Sequence, residues 1–343
     1  MLSLIYSLSL ATVGGLIASY FGLPLAWMIG PLLFVGIATM TGASLNAPQG
    51  GRQVGQATVG VAVGLQMTPD VVAFLLQEIW LIVSAGLATI LLGIPMALLL
   101  RRLSGEDTAT CYFSAVPGGL SEMAILGQRF GAQIEPIAIA QTMRLALIVL
   151  TIPPLLAYSG ITGDALSGPA GAAIASPWLT MALVAVGVVV SRTLSCLRVS
   201  NAWILGGILT GSSIAIVSGQ VLALPWLALN GAQFLLGLGL GIMFRREFVT
   251  RAPRFMRAAA LMVLVMIVLA AICAYAVAQM TDHGFGTLML SFAPAGVTEM
   301  MLTAKALGFE APLITAIHLT RILLIVLMTA GLFRLFFRPG QPE

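Results

Sequence analysis

The chain has 343 residues, of which 59% are hydrophobic and 8% charged, with a mean hydropathy of +1.05. A soluble globular chain carries roughly 25% charged residues, so a water-covered surface is excluded and the solvent of this fold is largely lipid. The net charge of +4 comes from arginines in short loops between apolar runs, the positive-inside pattern, and nucleic acid is not expected as a partner.

Twelve apolar segments follow one another, six in each half. In the first half they cover 3–20, 25–42, 53–67, 72–100, 108–128 and 134–157. In the second they cover 178–195, 202–218, 225–244, 256–280, 285–307 and 312–334. A helix needs ~20 residues to cross the hydrocarbon. The opening Met1 to Tyr6 carries no basic residue, so the first run reads as a retained helix and not a cleaved signal. The third segments are rich in glycine, with Gly55, Gly60 and Gly64 in one half and Gly237, Gly239 and Gly241 in the other. Small residues at such spacing let helices approach closely in lipid. Gln56 and Gln233 lie among them, where an amide must find a partner or line a cavity.

The fifth segments are ruptured. Pro117-Gly118-Gly119 and Pro294-Ala295-Gly296 interrupt otherwise helical stretches, and proline both lacks the N–H and clashes with the preceding turn. Non-helical backbone at membrane depth persists only inside protein or against a watery cavity. Each fifth segment is therefore a re-entrant hairpin or a discontinuous helix. The three cysteines, Cys111, Cys196 and Cys273, lie singly in apolar stretches with no CxxC pair, so neither a disulfide framework nor a metal site is expected.

The two halves are copies. Pro117-Gly-Gly-Leu-Ser-Glu-Met123 matches Pro294-Ala-Gly-Val-Thr-Glu-Met300 at an offset of 177 residues. The same offset pairs Gln56, Gly60, Gly64, Gly131 and Arg144 with Gln233, Gly237, Gly241, Gly308 and Arg321. At 176, Ala26, Trp27 and Gly30 pair with Ala202, Trp203 and Gly206. The copies span 1–165 and 177–338 and are expected to build one integrated membrane domain.

Basic loops orient the copies. Arg192 and Arg198, and the run Arg245, Arg246, Arg251, Arg254 and Arg257, occupy loops of the second half whose counterparts near Gly22 and Pro69 carry no Lys or Arg. Arg101 and Arg102 occupy a loop of the first half whose counterpart holds Asp282 and His283. The tail has Arg334 and Arg338, whereas Tyr158 to Ser176 has Asp164 and no base. If basic loops are cytoplasmic, the copies are inverted. The expected fold is thus an all-α polytopic membrane protein of two inverted repeats, each with about five crossings and one re-entrant or broken helix, and with both termini cytoplasmic. Six full crossings per half in parallel orientation is the alternative, and it leaves one basic cluster outside.

The site is sought among charges set in apolar sequence. Glu122 and Arg144 are separated by 22 residues, and so are Glu299 and Arg321. A charge at mid-membrane costs roughly 3 kcal/mol on insertion scales, so a matched set of both signs suggests a site for a solute or ion. Two structural ion pairs locking each hairpin to the next helix are the alternative. Ser121 and Thr298 stand where a new half-helix begins and suit its cap, as Glu122 and Glu299 suit its dipole. Two helix N-termini facing one cavity also suit an anion. Gln141 and His318 lie one turn before each Arg, as polar partners or, for His318, as a proton relay. Lys305 and Arg129 end the broken segments and are expected to reach toward the interface.

The duplicated P-x-G-[LV]-[ST]-E-M, the helix carrying Arg144 or Arg321, and the Ala-Trp…Gly segment resemble the bacterial AbrB duplication membrane protein family. Its members carry the labels AbrB family regulator and ammonia monooxygenase. The resemblance covers essentially the whole chain and implies an inner-membrane carrier without fixing a substrate. A copper monooxygenase needs a cluster of ligands such as imidazole, and this chain has 2 His, so that activity is rejected and no enzyme or cofactor is expected. A DNA-binding regulator needs a basic domain outside the membrane, and the longest basic run is a short loop. The expected function is secondary transport of a small solute by alternating access, with an anion among the solute classes, a proton or Na⁺ open as coupling ion and a homo-oligomer open as assembly. A membrane-embedded sensor acting indirectly on gene expression is the alternative.

Overall fold

Glycine and proline set most of the boundaries along this chain. A computed structural model describes residues 2–161, 163, 173–244, 246 and 253–337, with the backbone alone for Leu2, Leu120 and Ser121. Among these residues the first half forms α1 (Leu2–Tyr20), α2 (Ala26–Met40), α3 (Gly51–Gly64), α4 (Pro69–Gln77), α5 (Ile79–Leu91), α6 (Gly93–Ser104), α7 (Thr108–Ala115), α8 (Leu120–Arg129) and α9 (Ile134–Tyr158). The second half forms α10 (Pro177–Cys196), α11 (Ala202–Ser218), α12 (Trp226–Ile242), α13 (Pro253–Ala278), α14 (Phe285–Phe292), α15 (Val297–Leu307) and α16 (Ala311–Phe337). Two short strands, β1 (Ala173–Ile174) and β2 (Leu222–Ala223), pair in parallel with Ala173 opposite Leu222. The described residues are therefore all-α apart from this pair.

Among the described residues, six helices or helix pairs are long and apolar enough to cross a membrane: Ser3–Tyr20, Ile79–Ser104, Ile134–Tyr158, Pro177–Cys196, Pro253–Ala278 and Ala311–Phe337. A seventh span results if α3 and α4, bent by 89° at their junction, count as one. The shorter α2, α11 and α12 are also apolar. Large apolar side chains stay uncovered along several of these helices, such as Met181, Val186 and Val189 on α10 and Leu264, Val268 and Ile272 on α13. Contiguous apolar faces of this kind need lipid against them, which makes the chain a multi-pass membrane protein.

The chain divides into two compact units, and each draws on both sequence halves. Unit 1 comprises Met1–Glu78, Pro153–Arg246 and Thr298–Pro312. Unit 2 comprises Ile79–Ile152, Glu247–Val297 and Leu313–Glu343.

Within unit 1 the glycine-rich helices bring backbones into contact. A methyl on Gly60 of α3 would lie 2.4 Å from the Ile204 carbonyl of α11, and one on Gly237 of α12 would lie 2.3 Å from the Met28 carbonyl of α2. Gly60 and Gly237 are repeat mates, as are Ile204 and Met28, so the two interfaces are the same contact made twice. The third segments also cross each other. A methyl on Gly51 would meet Leu235, one on Gly55 the Ala232 carbonyl, and one on Gly239 Arg52. The order along α12 reverses relative to α3, so these equivalent helices run antiparallel. They cross at Gly55 and Ala232, which are themselves mates.

Unit 2 packs α5, α6, α7, α8 and most of α9 with α13, α14 and most of α16. At one end of the unit, Arg254 near the start of α13 donates from Nε to the Leu103 carbonyl near the end of α6, at 3.0 Å. The rings of Tyr112, Phe113, Phe130, Phe333 and Phe337 cluster there. The Tyr112 hydroxyl donates to the Thr329 carbonyl of α16 at 3.0 Å.

Candidate functional site

Both ruptures form as the residues dictate. The residue before proline is driven out of the helical region: Val116 adopts φ −63, ψ 128 and Ala293 adopts φ −56, ψ 128. α7 and α14 therefore end abruptly, and α8 and α15 begin after Gly119 and Gly296. A helix end leaves up to four carbonyls without intrahelical donors. Inside a lipid-solvated fold those carbonyls need donors from elsewhere.

The donors come from the next helix. At the first rupture, Gln141 Nε2 donates to the carbonyls of Phe113 (3.0 Å), Ser114 (3.4 Å) and Val116 (3.0 Å). Arg144 donates to Val116 at 3.2 Å and to Gly118 at 3.1 Å. At the second, His318 Nε2 donates to the Leu290 carbonyl at 2.9 Å. Arg321 donates to Ala293 at 2.8 Å and also to Ala295. Every second-rupture bond repeats a first-rupture bond at the 177-residue offset. The two arginines are thus seated on helix C-terminal carbonyls, where a cation is favoured by the macrodipole. Each guanidinium forms an arginine–carbonyl clamp, each charged hydrogen bond contributing about 1.5–3 kcal/mol.

These groups are deeply buried: Gln141 is 1% exposed, Arg144 2%, His318 0% and Arg321 2%. Both clamps meet the Ile79–Ser104 span. A methyl on Gly86 would lie 3.4 Å from Arg321 N, and one on Gly93 would lie 3.4 Å from Val116 Cα. Seven helical residues rise about 10 Å, so the Arg321 backbone and the first rupture touch the Ile79–Ser104 span at points about that far apart. Among the described residues, buried polar atoms at the ruptures without a hydrogen-bond partner include Ser114 Oγ and Gln141 Oε1 at the first and His318 Nδ1 and Arg321 Nε at the second. Buried polar atoms are ordinarily satisfied, so these atoms set the ruptures apart from the rest of the unit.

Glu122 holds the other side of the first rupture. Glu122 is the third residue of α8, and its carboxylate lies 3.1 Å from where a Cβ on Gly119 would be, folded back over the helix start. This is the acid's place in a capping box, here without a hydroxyl at the cap. Glu299 is buried at 3% exposure, as is Thr298. The Ser121 side chain lies outside the described residues, as do Asp164, Arg245, Arg251 and Arg338 from the loop argument.

Unit 2 thus brings together Pro117, Gly118, Gly119, Glu122, Gln141, Arg144, Pro294, Gly296, His318 and Arg321, whereas Thr298, Glu299, Gln56 and Gln233 belong to unit 1. Gln56 and Gln233 each follow a residue of the Gly55–Ala232 crossing. Arg129 is exposed as expected. Lys305 is a correction: its Nζ does not reach outward but donates to the Ala62 carbonyl of α3 at 2.9 Å. Gln66 N–H bonds to Val63 instead, so Lys305 supplies the donor that the end of α3 lacks before its bend. Ser114, Gly86, Gly93 and Lys305 were not singled out as site residues from sequence. The spacing of Gly86 and Gly93 is the one signal that marks a close helix contact.

The family model described as "Transition state regulatory protein AbrB" matches residues 27–337. The chain is 26% identical over 356 residues to "Uncharacterized protein YhjN" of Bacillus subtilis (strain 168), covering 96% of this chain and 92% of the relative. It is 25% identical over 317 residues to "Putative regulator AbrB" of Escherichia coli (strain K12), covering 91% of this chain and 90% of the relative. No solved structure matches it.

Proposed function

We propose, from the premise that this chain belongs to the AbrB family, that it is a secondary transporter carrying a small solute across the bacterial inner membrane by alternating access. The observation that carries this reading is the pair of ruptures in unit 2, clamped by equivalent arginine bonds at the 177-residue offset and each retaining buried polar atoms without partners. Discontinuous helices at mid-membrane are how repeat-built carriers hold polar solutes.

Inverted copies are supported by two contacts. Repeat-equivalent α3 and α12 cross antiparallel at mates Gly55 and Ala232. The end of α6 meets the start of α13, its counterpart. Such contacts fit a two-fold axis lying in the membrane plane, with five crossings and one broken segment per copy and both termini cytoplasmic. The solute class to assay first is a small anion, since α8 and α15 each begin at a rupture and the dipole at a helix N-terminus favours negative charge. No enzymatic activity is assigned.

Uptake into proteoliposomes under imposed proton and Na⁺ gradients tests the reading. Flux of at least one compound from a panel of organic acids, amino acids and amines is expected, and it should disappear in Glu122→Gln. Solute binding without flux is the outcome expected of a sensor, the alternative that the regulator name of the Escherichia coli relative favours. Neither binding nor flux across the panel counts against both.

A further inference from the structure

The two clamps have the chemistry of cation sites whose occupant is attached to the chain. At each rupture, two backbone carbonyls spaced two residues apart, Val116 and Gly118 or Ala293 and Ala295, converge on one positively charged group. A third carbonyl, Phe113 or Leu290, is held by the donor one turn earlier. Carbonyls at the C-terminal end of a half-helix are the ligands a free Na⁺ takes in broken-helix carriers, because the macrodipole is negative there and hard cations prefer oxygen.

We propose that each rupture is a monovalent-cation site permanently filled by a tethered guanidinium, so that removing the arginine side chain uncovers a site for a free cation. The planar fork of Arg explains the choice of residue. It presents parallel N–H groups to two carbonyls at once and keeps its charge when buried, whereas the ammonium of Lys is a single hydrated point. The charge also stays put. A free cation binds and leaves with the transport cycle, but a tethered one fixes the rupture geometry in every state. Under the transport reading, on which this consequence alone rests, Na⁺ coupling through these carbonyls is excluded and the carboxylates of Glu122 and Glu299 are left to carry a coupling proton.

Thermal unfolding of the purified protein, read by tryptophan fluorescence, tests the occupancy directly and needs no knowledge of the solute. The wild type should melt at the same temperature in NaCl, KCl and choline chloride at about 0.1 M, where screening is equal. Arg321→Ala should melt lower by roughly 5 °C or more. Guanidinium chloride at tens of millimolar, far below its denaturing range, should restore part of that loss, while urea at the same concentration should not. If Arg321→Ala does not yield folded protein, Arg144→Ala and Arg321→Lys are measured in the same way. The Lys variant should fall between wild type and the Ala variants, and guanidinium should raise Arg144→Ala. The proposal is overturned if Na⁺ specifically raises the melting temperature of the wild type, if the variants melt with it, or if guanidinium restores nothing in any Ala variant that folds.

Discussion

The glycine contacts of unit 1 permit a test in which the repeat supplies its own control. A methyl on Gly60 would lie 2.4 Å from the Ile204 carbonyl and 3.0 Å from Gly207 Cα, and one on Gly237 would lie 2.3 Å from the Met28 carbonyl. Ordinary contact begins at 3.4 Å, so each helix pair must part by about 1 Å, and backbone atoms cannot swing aside as a flexible side chain does. Overpacking of this kind costs about 1–3 kcal/mol. Separation also loosens Gly64 and Gly211, which touch along the same α3–α11 seam, so the upper part of that range is expected. Gly231 in α12 has nothing within 4 Å of its would-be Cβ, and Gly231→Ala should be neutral or stabilising by about 0.5–1 kcal/mol from helix propensity. Apparent melting temperatures of the three alanine variants in one detergent decide the matter. Gly60→Ala and Gly237→Ala should fall together by several degrees while Gly231→Ala does not fall. Two mates that differ widely, or that melt like Gly231→Ala, would refute the claim that the interfaces are one contact made twice.

The clamp makes His318 a hydrogen-bond donor equivalent to Gln141. His318→Gln should keep its melting temperature, whereas His318→Leu, which strands the Leu290 carbonyl, should lose about 1–3 kcal/mol, read as a lower melting temperature. Tyr112→Phe removes the bond to the Thr329 carbonyl but keeps the ring packing, so a loss of about 0.5–1.5 kcal/mol is expected in the same assay. Asp107 accepts the Thr110 N–H at 2.8 Å as the cap of α7, and Asp107→Ala should cost about 0.5–2 kcal/mol.

The helices and both ruptures were legible because their causes are local. Apolar runs fix the helices, and Pro117 and Pro294 fix the breaks by forcing Val116 and Ala293 out of helical geometry. The repeat was legible as identity at a constant offset. What the arginines touch was not. Charge alone points Arg144 toward Glu122, and the freed carbonyls 26 and 28 residues back come within the guanidinium's reach only once α7 and α9 lie side by side. The misreading of Lys305 has the same origin, since the orphan carbonyl at Ala62 appears only when α3 stops short and turns by 89° into α4. Sequence placed that turn between two segments without revealing its sharpness. The pairing of β1 with β2 rests on two residues per strand, too few to leave a pattern.

The orientation of the copies is most directly measured with single cysteines at Gly105 and Asp282, repeat-equivalent positions in the loops before α7 and α14. They are introduced into a background with Cys111, Cys196 and Cys273 replaced, and probed in intact cells with a membrane-impermeant thiol reagent. Inverted copies require the Asp282 position to be labelled from outside and the Gly105 position only after the membrane is permeabilised. Labelling of both from the same side would contradict the account.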